Sequence, residues 1–160
     1  MANGVYNRGK YVAGKFDLSG LALRLMLVTT QYVFDPDQNT VKDGTSSTSD
    51  PFTYELSVGS YARQSLAGVA LFEDDGNDFA GLDANDVTFA ALAAGGTVGG
   101  AVLYRYSSSA PTTAAATTGD SGQDLIAFYD VTDTPTNGGD ITIQWASTSA
   151  GGALKLGTTS

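Results

Sequence analysis

Leucines occupy every second position between residues 21 and 28, in the order LALRLMLV. This spacing is the period of a β-strand, which places alternate side chains on opposite faces, so the leucines share one face. The other face carries Ala22, Arg24, Met26 and Val28 and is also mostly apolar. Leucine, alanine, arginine and methionine would permit a helix as well. The β-branched and aromatic residues that follow, at 28–30 and 32–34, favour the strand.

Further short segments along the chain have strand-like patterns. They are residues 61–63, 67–72, 86–89, 97–106, 125–129, 141–145 and 153–156. Turns rich in Gly, Asn and Asp separate them, and residues 137–140 (NGGD) are a strong turn signal because Asn and Gly tolerate positive φ. Such a series predicts an all-β fold, a single-domain antiparallel β-sandwich, jelly-roll or barrel. Asp50 followed by Pro51 predicts one short helical turn over residues 51–56.

We expect residues 1–160 to form a single β domain, because no linker-like segment divides the chain. Residues 1–20 are polar and glycine-rich, and we interpret them as an extended N-terminal arm. Residues 107–119 (SSSAPTTAAATTG) are uncharged and of low complexity, which predicts an exposed loop between strands. The N-terminus lacks the apolar segment of a secretory signal, and the best apolar run is too short to span a bilayer, so we expect synthesis in the cytosol.

Composition excludes several kinds of chemistry. The chain has no His and no Cys, which rules out a Ser-His-Asp triad, thiol chemistry, disulfides and thiolate or imidazole metal sites. Its net charge of −9 argues against sequence-independent binding to nucleic acid. Glycine-rich residues 95–100 lack the ending of a phosphate-binding loop and are interpreted as the entry into a strand.

Half of the positive charges lie in the first 24 residues, and Arg8, Lys10 and Lys15 stand close together. One interpretation is a solvated terminal segment. The other is a contact surface for an acidic partner, in which these three cations pair with carboxylates.

Acidic residues cluster between positions 73 and 86, where carboxylates and an Asn amide could supply the oxygen ligands of calcium. The candidate ligands are Asp74, Asp75, Asn77, Asp78 and Asp83. The alternative is a solvated connection in which Asp and Asn serve turn geometry, since the spacing does not match an EF-hand. Residues 35–39 begin like a calcium loop but lack its glycine, so we predict no firm metal site and no required cofactor.

Aromatic and acidic residues suggest two other kinds of site. Trp145 with Tyr104 and Tyr106 could form a platform on which a sugar stacks, whereas the alternative is packing within the fold. Asp78, Asp83 and Asp86 could serve a hydrolase, but nothing singles out a catalytic pair. The sequence therefore predicts no catalytic residues and no enzymatic activity.

Seven segments together are similar to a known family. They are residues 1–10 (MANGVYNRGK), 32–37 (YVFDPD), 60–68 (SYARQSLAG), 74–78 (DDGND), 82–89 (LDANDVTF), 125–130 (LIAFYD) and 137–145 (NGGDITIQW). In this order they resemble small structural proteins of tailed-bacteriophage virions, most closely capsid decoration (cement) proteins. The likeness covers nearly the whole chain except residues 107–119.

The resemblance implies a virion protein on the outer capsid surface that is made in the host cytoplasm and stabilises contacts between capsid subunits. It implies the major capsid protein and other copies of the chain, as a homotrimer, as partners, with no role for nucleic acid or membrane. The alternative is a tail or head-fibre domain that binds glycans on the host surface, using Trp145 and Tyr106.

Overall fold

The computed structural model describes residues 3–15, 17–42, 50–77, 79–106 and 120–156. The expected all-β fold is confirmed: strands predominate, helix is scarce, and the sheets are antiparallel. The strands are β1 Gly4–Val5, β2 Leu23–Thr29, β3 Gln64–Ser65, β4 Ala70–Asp74, β5 Phe79–Asp83, β6 Val87–Phe89, β7 Thr97–Arg105, β8 Leu125–Pro135, β9 Ile141–Ile143 and β10 Leu154–Leu156. An α-helix, α1, spans Asn7–Lys15, and 3-10 helices span Leu18–Gly20, Pro51–Tyr54, Asp120–Gly122 and Thr148–Ala150.

A central sheet organises the described part of the chain, with its strands in the order β1-β8-β7-β2-β3. Leu25 of β2 lies opposite Leu103 of β7, which in turn lies opposite Ala127 of β8. Two smaller sheets, β10-β5-β4 and β6-β9, complete the described strands, and none of these sheets closes into a barrel.

Both faces of the central sheet are covered, as the apolar pattern on both sides of β2 requires. Leu23, Leu25 and Leu27 enter one core together with residues of α1 and of both smaller sheets. Met26 and Val28 enter a second core, which the chain between β2 and β3 covers with aromatic side chains such as Tyr32. The alternation of a strand thus separates the two cores residue by residue.

Strand boundaries differ from the expectation in places. Residues 61–63 are not a strand. Tyr61 and Arg63 are buried there and hydrogen-bonded, and strand pairing begins at Gln64. The short helical turn is present at Pro51–Tyr54, but the Asp50 side chain makes no cap hydrogen bond. Instead, Asp50 accepts a hydrogen bond of 2.6 Å from the side chain of Gln38.

The extended N-terminal arm expected at residues 1–20 is wrong for the part that the structure describes. Gly4 and Val5 pair with Phe128 and Ala127 at the edge of the central sheet. Helix α1 follows and packs against β8, burying Val12 completely. Burial of this apolar side chain compensates for a helix sequence with two glycines, which lowers intrinsic helix propensity. The loop expected at 107–119 lies outside the described residues.

Gly9 allows α1 to approach the sheet, and replacing it tests this packing. A Cβ atom at Gly9 would collide with the backbone of Ile126, which cannot move aside as a flexible side chain could. We expect Gly9→Ala to destabilise the fold by about 2 kcal/mol net, because overpacking costs up to ~3 kcal/mol and helix propensity returns ~1 kcal/mol. Urea unfolding followed by circular dichroism measures this free energy.

Gly20→Ala is the matched control for that variant, because a Cβ atom at Gly20 meets nothing within 4 Å. It should change stability by less than about 0.5 kcal/mol. Equal stability of the two variants would show that α1 does not need its close contact with β8.

Among the described residues, no helix is long and apolar enough to cross a membrane.

Candidate functional site

Basic side chains from distant parts of the chain meet at one end of the central sheet. Arg8 of α1 donates from Nε to Oδ1 of Asp124 at 2.7 Å, and Arg105 of β7 donates from Nη1 to Oδ2 of the same carboxylate at 3.2 Å. The Arg8 and Arg105 side chains are 39% and 40% exposed, whereas Asp124 is 9% exposed. Two half-exposed guanidinium groups therefore share one carboxylate at this surface.

Helix α1 carries further residues near this end of the central sheet. Lys10 is exposed, with Nζ 3.5 Å from Oδ1 of Asn7. Tyr11 is 53% exposed, and the Arg8 guanidinium lies 5.1 Å from the centre of its ring. Lys15 is the last residue of the helix, and its side chain lies outside the described part. Of the predicted contact residues, Arg8 joins the surface at Asp124, whereas Lys10, two positions further along the helix, lies beside Asn7.

Sequence reasoning missed Arg105 and Tyr11, which belong to the same surface. Arg105 lies far from Arg8 in the chain, and only the pairing of β7 with β8 brings it to Asp124. Tyr11 carried a weak signal, an aromatic residue between cations. We define the basic end as Arg8, Lys10, Tyr11 and Arg105.

A second charged cluster is buried. Arg63 binds Glu55 through Nε at 2.7 Å and Nη2 at 2.6 Å, and it binds Asp120 through Nη1 at 2.7 Å. The Arg63 and Asp120 side chains are 0% exposed. Burial alone lowers the pKa of Arg63, but hydrogen bonds to both carboxylates outweigh it and raise the pKa, so the guanidinium stays charged. Since no substrate can reach this cluster, its role is to cross-link the fold.

The proposed calcium ligands do not form one site. Asp74 lies opposite Phe79 and Asp83 lies opposite Ala70, at the two ends of the β4–β5 hairpin. Four residues along a strand separate these ends by about 13 Å. The Asp74 carboxylate instead accepts hydrogen bonds from the backbone and side chain of Asn77.

The other acidic candidates are not gathered around Asp74 or Asp83 in the part of the chain that the structure describes. Asp78 lies outside the described residues, and Asp75 is exposed in the turn of the hairpin. Asp35 accepts a hydrogen bond from the backbone of Asp37, as in a simple turn. Across the described ranges, no three carboxylates lie in a group that could hold a metal ion.

Trp145, Tyr104 and Tyr106 do not form the aromatic platform that was one of the two alternatives for them. Tyr104 is fully buried, and the Arg24 guanidinium lies 3.5 Å above the ring of Tyr106. Tyr106 packs against one core and Trp145 against the other, so the central sheet separates them. Trp145 instead packs against Tyr129, with ring centres 5.1 Å apart.

Trp145 lines an open cleft of about 460 Å³. One wall is β1 with the middle of β8, another is the end of β9, and the third is the segment at 150–155. Gly152 makes the third wall possible: its φ is +60°, and a Cβ atom there would lie 2.8 Å from the carbonyl oxygen of Leu82.

Comparison with known proteins adds no relative. No family model matches the chain, and neither a curated protein nor a solved structure matches it. A function is therefore inferred from the sequence itself and the basic end.

Proposed function

We propose that the protein is a decoration protein on the outer capsid surface of a tailed-bacteriophage virion. Two independent features support this proposal. The first is the likeness of seven ordered segments to such proteins, over nearly the whole chain. The second, which carries the proposal, is the basic end on a chain of net charge −9. A surface of opposite charge to its own protein is suited to docking on an acidic partner.

The proposed partner is the major capsid protein. Arg8, Lys10 and Arg105 would pair with carboxylates of the shell, and the exposed ring of Tyr11 would add apolar contact area. Binding to assembled subunits in preference to free ones would stabilise the shell by mass action, without any catalytic step. We also propose that the chain binds other copies of itself as a homotrimer and that its sheets belong to a β-sandwich of the jelly-roll type.

The experiment that tests this proposal is cryo-electron microscopy of the virion whose genome encodes the chain. Density of the protein on the shell, between capsomers and with the basic end facing capsid subunits, is the expected result. Density on the tail or the fibres would reject the proposal in favour of the adhesion alternative. The number of copies at each site would decide the oligomeric state.

A charge reversal tests the role of the basic end in solution. Lys10→Glu replaces an exposed cation without removing a partner of a buried group, so the variant should fold normally. We expect about fivefold weaker binding to phage heads prepared without the protein, equivalent to about 1 kcal/mol, and a weaker dependence on salt. Co-sedimentation with those heads at two ionic strengths measures both effects.

Lys155→Glu is the matched control, since it makes the same charge change on β10, away from the basic end. It should bind the heads like the unmodified protein. If both variants bind the heads equally less tightly, net charge governs binding. If Lys10→Glu binds as tightly as the unmodified protein, Lys10 does not belong to the contact surface.

A further inference from the structure

The turn between β8 and β9 docks on the turn that follows β6. The backbone nitrogen of Gly138 donates to the carbonyl oxygen of Leu92 at 2.7 Å, and the nitrogen of Leu92 donates to the carbonyl oxygen of Gly139 at 3.0 Å. The Asp140 carboxylate accepts from the backbone nitrogen of Ala91 at 2.8 Å. Ala91 has a φ of +49°, which is unfavourable for a residue with a side chain, so these bonds also hold backbone strain.

Asn137 lies at the start of this turn, with its side chain bonded to its own backbone. Its Oδ1 accepts from the backbone nitrogen of Gly139 at 3.0 Å, which closes a ring that contains both Asn137 Cγ and the Gly138 nitrogen. Asn137 is exposed, and a Cβ atom at Gly138 would meet no described atom within 4 Å. Water therefore reaches the side-chain amide, and no side chain of Gly138 shields the nitrogen that follows it.

This arrangement permits a reaction that needs only water and hydroxide. The Gly138 nitrogen gives its proton to hydroxide and attacks Cγ of Asn137, so that a C–N bond forms and a cyclic succinimide results. The side-chain nitrogen takes a proton from water and leaves as ammonia, which restores the hydroxide. One water molecule then opens the succinimide at either carbonyl, and the product is aspartate or isoaspartate.

The hydrogen bond from Gly138 to Leu92 opposes this reaction in the fold. A nitrogen that donates to a carbonyl at 2.7 Å is stabilised in its protonated form, so it is a poor nucleophile until that bond opens. The reaction therefore requires the turn to undock, which costs the free energy of its hydrogen bonds.

The chain has one other Asn-Gly pair, Asn3-Gly4, and the fold holds it differently. Gly4 pairs with Phe128, so its backbone is extended. Asn3 Oδ1 accepts from the backbone nitrogen of Asp130, on the neighbouring strand, at 2.8 Å. Because the Asn3 side chain is bonded to another strand and not to its own backbone, we expect it to react more slowly than Asn137.

We propose that Asn137 is a site of spontaneous deamidation in the folded protein and that the docking of its turn on Ala91 and Leu92 controls the rate. Isoaspartate adds a methylene group to the backbone before Gly138, so the converted turn cannot keep its register on Leu92. This inference does not depend on the proposed role at the capsid, and the two are measured separately.

Peptide mapping of the folded protein after incubation in mildly alkaline buffer tests this proposal. Chymotrypsin, cutting after Tyr129 and Trp145, releases a peptide in which Asn137 is the single asparagine. Mass spectrometry measures the replacement of its amide by a carboxyl group, and chromatography separates isoaspartate from aspartate. We expect Asn137 to convert before any other asparagine, about tenfold more slowly than in protein unfolded by guanidinium chloride.

Asp140→Ala removes the acceptor of the Ala91 nitrogen, so the turn should undock more often and Asn137 should deamidate about fivefold faster. Asp133→Ala is the matched control, because it removes a carboxylate of the same peptide outside the turn and should leave the rate unchanged. Both carboxylates belong to exposed residues, so both variants should fold.

The proposal is overturned if Asn137 of the folded protein stays intact or if another asparagine converts first. It is also overturned if Asn137 reacts equally fast in the two variants, or equally fast with and without guanidinium chloride.

Discussion

We expect the protein to unfold cooperatively as the pH rises above about 10, because five tyrosines are more acidic in the unfolded chain than in the fold. Burial raises the pKa of Tyr32 to about 12 from its ordinary value of 10.0. Burial also raises the pKa values of Tyr6, Tyr61, Tyr104 and Tyr129. The fold therefore favours the neutral phenols.

The sign of the effect follows from proton linkage. Above the pKa of the unfolded chain, the unfolded state binds fewer protons than the native state, so the free energy of unfolding falls as pH rises. The stabilisation is fully present below pH 10, and the part due to Tyr32 is lost as pH approaches about 12. Each tyrosine contributes up to about 1.4 kcal/mol per pH unit in this range. Several together can exceed the stability of a typical domain.

Titration with base, followed by tyrosinate absorbance and circular dichroism together, measures this transition. Tyr104→Phe provides a specific check, because the buried Tyr104 hydroxyl lies near Arg63 without a hydrogen bond of regular geometry to a described residue. This variant should move the midpoint to higher pH without loss of stability at neutral pH. Tyr11→Phe, at an exposed ring, should leave the midpoint unchanged. Ionisation of all tyrosines near pH 10 with the fold intact would contradict the prediction.

Removal of the buried cation should have the second large effect. Arg63→Met keeps an apolar stem of similar length but leaves the carboxylates of Glu55 and Asp120 buried without their cation. Breaking a buried ion pair from one side costs about 3–5 kcal/mol. We expect a loss of this size in the free energy of unfolding at neutral pH, measured by urea titration.

Neutralising the two acids tests whether stranded charge is the cause of that loss. The triple variant Arg63→Met, Glu55→Gln, Asp120→Asn should recover at least half of the stability lost in Arg63→Met, because no charge remains in this buried cluster. A single variant that loses less than about 1 kcal/mol would show that the cluster contributes little. If the triple variant is no more stable to urea than Arg63→Met, the loss of stability is due to packing.

The local pattern of side chains was sufficient to predict the strands with a regular alternation. The alternation at residues 21–28 predicted β2, and the apolar and turn patterns predicted most of the central sheet, because side-chain period and turn geometry are local properties. Helix α1 was missed for the opposite reason. Its sequence has two glycines and little helix propensity, and packing against β8 supplies what propensity does not.

The candidate sites also contain some residues that a local pattern predicts and others that only strand pairing brings together. The cations Arg8 and Lys10 were visible as a local charge cluster, but Arg105 joined them only through strand pairing. The central sheet separates Trp145 from Tyr104 and Tyr106, so the three aromatic residues considered as a platform do not lie on one side of it. Tyr129, the ring that Trp145 contacts, carried no local signal for this role.

The sequence by itself determined the all-β class, the exclusion of thiol and imidazole chemistry, and the excess of negative charge. These depend on composition and on spacings of two to four residues. Tertiary structure alone decided which charges are buried together, as for Arg63 with Asp120, and which side chains line the cleft. Such contacts join residues far apart in the chain, and they depend on strand order and register, which no local pattern contains.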